Sequence, residues 1–137
     1  MSFVLDCSIV IAAILPDERP AIALDLLTQA QANGAHAPAV WPLEVANSLL
    51  MAQKRKRIDE AYRLDMLVLM AEANVIIDPE TPALAWFDIS RLAQRHNLTA
   101  YDAAYLELAL RLKLPLATLD QRLADAARAE GVQVLAG

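Results

Sequence analysis

Asp6, Glu44, Asp102 and Asp120 are the residues of this chain best suited to chemistry. They occur in VLDCS, PLEVANSLL, LTAYDAAYLELA and LATLDQRLADAA. Each lies in or beside an apolar stretch, where an unpaired negative charge is costly to desolvate. One such residue is usually a helix cap. Four that converged would repel one another, and a divalent cation is the common remedy. An all-oxygen cluster suits hard ions such as Mg²⁺ or Mn²⁺.

Taken singly, each carboxylate also has a plainer role. Asp6 and Asp120 follow short apolar runs and precede helical patterns, so both could be N-caps. Glu44 could be a first-turn glutamate favoured by the helix dipole. Asp102 stands three residues after Thr99, at capping-box spacing, although that motif prefers Glu or Gln there. Tyr105, Leu106 and Ala109 follow it at i+3, i+4 and i+7, which puts the carboxylate at the head of an apolar stripe.

The elements that must position these groups alternate along the chain. Phe3 to Leu5 reads as a first strand, followed by an apolar helix from Ser8 to Leu15 that Pro16 stops. Pro20 opens a helix that Asn33-Gly34 ends, and Ala35 to Ala37 is a weak second strand. Helices follow over about 40–57 and 59–73, then a strand at Val75 to Ile77 ended by Asp78-Pro79, which reads as a turn. A helix from Thr81 or Pro82 to about His96, with Thr81 available as cap, precedes one from Tyr101 to Lys113 capped by Thr99. Leu116 to Leu119, Gln121 to Glu130 and Val132 to Leu135 complete the series as strand, helix and strand, with Gly131 between the last two. Strands separated by helices predict an α/β fold, a parallel sheet with helices on both faces, and one domain over 1–137.

Ligands of open parallel sheets bind beyond the carboxyl ends of strands, where strand order reverses. If the first and fourth strands are neighbours, roughly 4.8 Å apart, Asp6 and Asp120 flank that crevice. Helix starts near the same edge would deliver Glu44 and Asp102. Spacing alone leaves the strand order open.

The sequence resembles the PIN-domain ribonucleases and, among them, the VapC-type toxins of bacterial toxin–antitoxin pairs. Its marks are VLDCS, the E-x-x-N of Glu44 and Asn47, the D-A-x-Y of Asp102 and Tyr105, and the T-x-D-x-x-L of Thr118, Asp120 and Leu123. The resemblance runs nearly end to end. It implies a three-layer PIN-like fold with a five-stranded sheet ordered 3-2-1-4-5. It also implies Mg²⁺- or Mn²⁺-dependent endonucleolytic cleavage of RNA, a homodimer, and a cognate VapB-type antitoxin whose segment covers the active-site groove.

On this reading Asp6, Asp102 and Asp120 are direct or water-mediated metal ligands and Glu44 completes the acidic pocket. A bound ion would activate water for phosphodiester hydrolysis. Ser8 and Thr118 could orient Asp6 and Asp120 from behind, or be plain turn and strand-end residues. Asn47, one turn after Glu44, could support the same pocket. A haloacid-dehalogenase-like phosphatase also starts from an Asp after its first strand, but its usual second aspartate falls at Ser8 here. A non-catalytic PIN-like binding module is the other alternative. No glycine-rich phosphate loop is present, which argues against a nucleoside-triphosphate switch.

Composition narrows the setting. A net charge of −5 and a pI near 4.9 argue against a general electrostatic nucleic-acid binder, though acidic metal ligands contribute to both values. The dense basic run is Lys54 to Arg57, either a solvated helix end or a phosphate-contacting patch. The hydrophobic fraction of 57% and mean hydropathy of +0.32 are high, yet apolar runs fall short of the roughly 20 residues that span a membrane. The excess points to a core plus a protein–protein interface. The helix carrying LDMLVLMAEA is apolar over more than one face, from Leu64 to Met70, as a partner surface or a deeply packed helix would be. Trp41, Trp86 and Phe87 could stack bases or pack in the core or an interface. His36 and His96 have no Ser or Cys nucleophile paired with them in sequence. The single Cys7 reads as a buried packer and fits a reducing cytoplasm.

Overall fold

The computed structural model of the chain describes residues 2–136. Its elements are β1 (Val4–Leu5), α1 (Cys7–Ile14), α2 (Ala21–Asn33), β2 (Ala35–Ala37), α3 (Trp41–Lys54), α4 (Glu60–Ala71), β3 (Val75–Ile77), α5 (Thr81–Leu84), a π-helical turn (Ala85–Ile89), α6 (Ser90–His96), α7 (Ala100–Leu112), β4 (Leu116–Ala117), α8 (Gln121–Ala129) and β5 (Val134–Leu135). The five strands form one parallel sheet in the order β3-β2-β1-β4-β5. This is the expected α/β architecture and strand order. The reversal falls between β1 and β4, where Val4 pairs with Leu116 and Leu5 with Ala117.

β1 occupies the middle of the sheet, and Phe3, Val4 and Leu5 are accordingly buried. In α1 the apolar residues run all round the helix, and Cys7, Ile9, Val10, Ala12, Ala13 and Ile14 are all buried. That is the pattern of a helix enclosed by other elements rather than one with a wet face. It packs on α2 and α3, while α7 packs on α6, the π turn, α8 and strand β1.

The helix stops and caps largely follow sequence chemistry. Asp59, Thr99 and Asp120 each accept a hydrogen bond from a backbone N–H three residues on. Gly34, at φ 83°, ends α2 in a conformation that costs glycine little. Thr81 is not the cap of α5: its hydroxyl donates to Asp78 and accepts from the Ala39 N–H, and Glu80 takes the cap position.

The expected fourth and fifth strands are longer than the observed ones, for local reasons. The Leu119 N–H turns to the Ser8 hydroxyl at 2.9 Å, and the Val132 N–H closes the end of α8 on the Ala127 carbonyl at 2.8 Å. The long helix expected over 81–96 is interrupted by the π turn, on which Trp86 and Phe87 are 77% and 74% exposed. Core packing is therefore overturned for these two, whereas Trp41 is buried. Among the described residues no helix is long and apolar enough to cross a membrane.

Candidate active site

Asp6 leaves the end of β1 at the N-cap position of α1, but its carboxylate makes no capping hydrogen bond. It is turned instead to two hydroxyls. Ser8 Oγ donates to Asp6 Oδ2 at 2.6 Å and Thr118 Oγ1 donates to the same oxygen at 2.7 Å. The other oxygen, Oδ1, takes no side-chain hydrogen bond among the described residues. Asp6 is only 5% exposed. Burial pushes its pKa up, the two hydroxyls work against that, and the negative charge of Asp120 adds to it.

The same hydroxyls tie down the β4–α8 corner. Thr118 Oγ1 accepts from the Asp120 N–H at 3.0 Å, and Ser8 Oγ accepts from the Leu119 N–H. Asp120 itself caps α8 through Oδ1, which accepts from the Leu123 N–H at 3.0 Å. The capping role is thus real for Asp120 and engages one of its two oxygens.

Glu44 lies in the first turn of α3, half-buried, and Tyr105 donates its hydroxyl hydrogen to Glu44 Oε1 at 2.5 Å. Burial raises the Glu44 pKa, Tyr105 lowers it, and the charges of Asp6 and Asp102 raise it again. Asp102 opens α7, where the Thr99 cap accepts from its N–H. Burial, then the charges of Asp120 and Asp6, push the Asp102 carboxyl up to about 6, partly offset by a hydrogen bond from Thr99. Asp6 thus feels the charge of Asp120, Glu44 that of Asp6 and Asp102, and Asp102 that of Asp120 and Asp6, across elements far apart in sequence.

Crowding of like charge in a partly dry setting is the electrostatic signature of a cation site or an acid–base site. The donors are all oxygen, which fits a hard divalent ion in kind. Among the described residues, no three His, Cys, Asp or Glu side chains are gathered closely enough to hold a metal ion.

A groove of about 360 Å³ starts at Ser8, Leu119 and Asp120 and runs past Cys7, Ser48 and Glu18. The Cys7 thiol is pushed up to about 12 by burial and by the charges of Asp6 and Glu44, so at neutral pH it is no nucleophile. Its sulfur lies 4.0 Å from Ser48 Oγ. Asn47 is exposed on α3 and does not line this groove, whereas Ser48, a full helical turn after Glu44, does. The i+4 spacing from Glu44 was the available signal for Ser48.

Other expectations sort clearly. Arg57 is withdrawn from the basic run by ion pairs to Asp17 at 2.8 Å and Glu18 at 2.7 Å, leaving Lys54, Arg55 and Lys56 exposed. His96 bonds Glu130 at 2.6 Å, a pairing that involves none of the four carboxylates. Asp78 is more than a turn residue. It is buried and ion-paired to Arg111 at 2.7 Å, and Arg111 also reaches Glu107 and Glu80. The larger cavity, about 480 Å³, is apolar and lies between α3, α4 and β3, walled by Trp41, Val45, Leu67, Met70 and Ile77. Met70 is core, while Leu64, Val68 and Leu69 on α4 are exposed.

A parallel sheet reversing between β1 and β4, with carboxylates beyond the ends of both strands, defines an α/β protein with an acidic crevice at its switch point. The chain belongs to the PIN-domain family, whose profile matches residues 3–129. It is similar to Ribonuclease VapC3 of Pyrobaculum aerophilum, 34% identical over 125 residues that cover 91% of this chain and 94% of that protein. It is also similar to Ribonuclease VapC1 of Mycobacterium tuberculosis, 33% identical over 127 residues covering 90% and 89%. Two solved structures share the fold. PAE2754 from Pyrobaculum aerophilum aligns with a TM-score of 0.71 and 21% identity over 98% of this chain and 84% of that one. FitAcB from Neisseria gonorrhoeae aligns with a TM-score of 0.67 and 16% identity, covering 98% and 96%.

Proposed function

We propose that this chain is a divalent-metal-dependent endoribonuclease, the toxin of a VapBC-type toxin–antitoxin pair. The observation that carries the reading is the pair of hydroxyls, Ser8 and Thr118, that hold the buried Asp6 carboxylate and tie it to the Asp120 corner beyond the ends of β1 and β4, with Glu44 and Asp102 near enough to feel its charge. Relatives named as VapC ribonucleases, matched over nine-tenths of the chain, support it.

Asp6, Asp102 and Asp120 would hold Mg²⁺ or Mn²⁺ directly or through water, since the three are not gathered into a closed ligand set, with Glu44 completing the acidic pocket. An ion bound there supplies an activated water and offsets charge on the phosphate oxygens. The chain's own residues prepare that setting. Ser8 and Thr118 fix Asp6 through one oxygen and leave Oδ1 for a ligand. Capping of α8 fixes Asp120 through Oδ1 and leaves Oδ2. Each pinned carboxylate thus keeps one oxygen for chemistry. The Ser8 hydroxyl is committed to Asp6 and to the Leu119 N–H, which speaks against an acid/base at that position and hence against the phosphatase alternative.

RNA is the proposed substrate, a cognate VapB-type antitoxin the proposed partner and the cytoplasm the proposed location. The exposed apolar side chains of α4 are the proposed contact for a second copy or for the antitoxin. Incubating the purified chain with RNA and Mn²⁺, with and without EDTA, tests the activity. Metal-dependent cleavage that disappears in Asp6→Asn and Asp102→Asn is expected. Equal cleavage by those variants would remove the site from the mechanism.

A further inference from the structure

Among the described residues Tyr105 is the largest fully buried side chain, and its hydroxyl has one hydrogen-bond partner there, Glu44. That bond joins residues 61 apart in sequence and links two helices that pack mainly on other elements. α3 lies chiefly against α1 and α4, and α7 chiefly against α6, the π turn and α8. Helix packing alone therefore holds Glu44 and Asp102 in place through separate parts of the fold. The Tyr105 hydroxyl ties Glu44 on α3 to α7, the helix that carries Asp102 one turn earlier.

The chemistry of the pair is one-sided. Burial, then the charges of Asp6 and Glu44, hold the phenol well above its ordinary pKa, so it is a permanent donor. Glu44 is its acceptor at 2.5 Å, the short distance of a charge-assisted O–H···O⁻ bond. Tyr105 thus offsets part of the burial and repulsion that would protonate Glu44. Only one glutamate oxygen is taken.

We propose that Tyr105 is a positioning residue of the active site, its buried hydroxyl setting where Glu44 stands relative to Asp102. This rests on the metal-nuclease reading above and adds a residue that it does not require. A tyrosine that served only to fill the core would leave Mn²⁺ binding and turnover unchanged with phenylalanine in its place.

The test is Tyr105→Phe, compared with wild type, Glu44→Asp and the double variant. Glu44→Asp keeps the charge but shortens the arm that meets the hydroxyl. Three measurements are made on each: circular dichroism for the fold, Mn²⁺ binding by calorimetry without RNA, and kcat and KM for RNA cleavage. Tyr105→Phe should keep the wild-type spectrum, bind Mn²⁺ more weakly or with altered stoichiometry, and lose about tenfold in kcat with little change in KM, the order expected for one charge-assisted bond. Glu44→Asp should lose a similar factor, and the double variant no more than the worse single one.

Wild-type Mn²⁺ binding and kcat in a folded Tyr105→Phe would overturn the proposal and leave the nuclease reading standing. Multiplicative losses in the double variant would overturn it as well. If Tyr105→Phe fails to fold, the hydroxyl holds the fold rather than setting Glu44, and the proposal is overturned. A wild-type protein that neither binds Mn²⁺ nor cuts RNA removes the underlying reading, and this proposal with it.

Discussion

Thr118 Oγ1 meets Asp6 Oδ2 at 2.7 Å, joining the ends of β4 and β1 across 112 residues of sequence. The threonine is fully buried and accepts the Asp120 N–H with the same oxygen. One hydroxyl therefore ties two of the four carboxylate-bearing corners together.

Thr118→Val keeps the volume and removes both bonds. It leaves a buried carboxylate with one hydroxyl donor fewer and the Asp120 N–H without that partner. A loss of about 1–2 kcal/mol is expected from urea unfolding midpoints, together with weaker Mn²⁺ binding because Asp6 becomes harder to ionise. Thr118→Ser should recover most of both. Equal stability and Mn²⁺ affinity in all three proteins would reduce Thr118 to a packing residue.

Asp102 supplies a test in pH. Its pKa rises from 3.8 to about 6 on folding, so the folded protein takes up its proton more readily than the unfolded chain. That contribution to stability is complete below about pH 4 and is lost as pH rises through about 6. Asp102→Asn should therefore raise the melting temperature of the metal-free protein at pH 7.5, by roughly 1 kcal/mol or a few degrees, and barely change it near pH 4. Added Mn²⁺ should stabilise wild type more at pH 7.5 than at pH 5, and the variant little at either. Melting curves at three pH values with and without Mn²⁺ decide it. A variant less stable than wild type at pH 7.5 would contradict the crowding of charge.

The parts legible in the sequence are those fixed by local pattern. Alternating apolar runs and helical spacing located the elements, and the ends of the first and fourth runs located Asp6 and Asp120. The strand order came from resemblance, because no spacing specifies which strand lies beside β1. Partners from distant elements were legible only in part. Ser8 and Thr118 could be proposed as supports because each lies two residues from a carboxylate. The Tyr105 hydroxyl could not be matched to Glu44, since its stripe spacing marks burial and says nothing of what lies opposite. Asp78 looked like turn chemistry beside Pro79, and the i,i+4 spacing of Glu107 and Arg111 gave no sign that Arg111 also bonds across to β3's end. Thr81 satisfied the capping rule in sequence, yet Asp78 and Ala39 engage its hydroxyl.

Exposure redirects the search for an interface on α4. Met70 is core and Leu67 walls the apolar cavity, so charge there would test folding rather than association. Leu64 and Val68, one helical turn apart, are 47% and 59% exposed. Changing both to Glu should leave the monomer's unfolding free energy within about 0.5 kcal/mol of wild type. It should weaken self-association or antitoxin binding by several kcal/mol if either partner buries this face. Light scattering with and without antitoxin reads the difference. Unchanged assembly in both settings would move the contact to another surface, with Trp86 and Phe87 on the π turn the next to test.

The basic run divides into two parts with different expected behaviour. Arg57 is clamped by Asp17 and Glu18, so Arg57→Gln should loosen the joint between the end of α3 and the segment after α1 without acting first on RNA. The pair is solvent-exposed, and its loss should change stability little. Lys54, Arg55 and Lys56 are exposed at the end of the helix that carries Glu44, where they can meet a phosphate backbone leading toward the groove. Replacing these three with Gln should weaken RNA binding and flatten its salt dependence by roughly 0.7 per lost phosphate contact on a log–log plot for a single strand. Turnover at saturating RNA should persist, because the carboxylates are untouched. Titrating RNA into an Asp102→Asn background at several salt concentrations separates binding from cleavage, and Arg57→Gln serves as the control. If the triple variant keeps the wild-type affinity and slope, the run is a solvated helix end, and Arg91, Arg95 and Arg122 become the residues to change next.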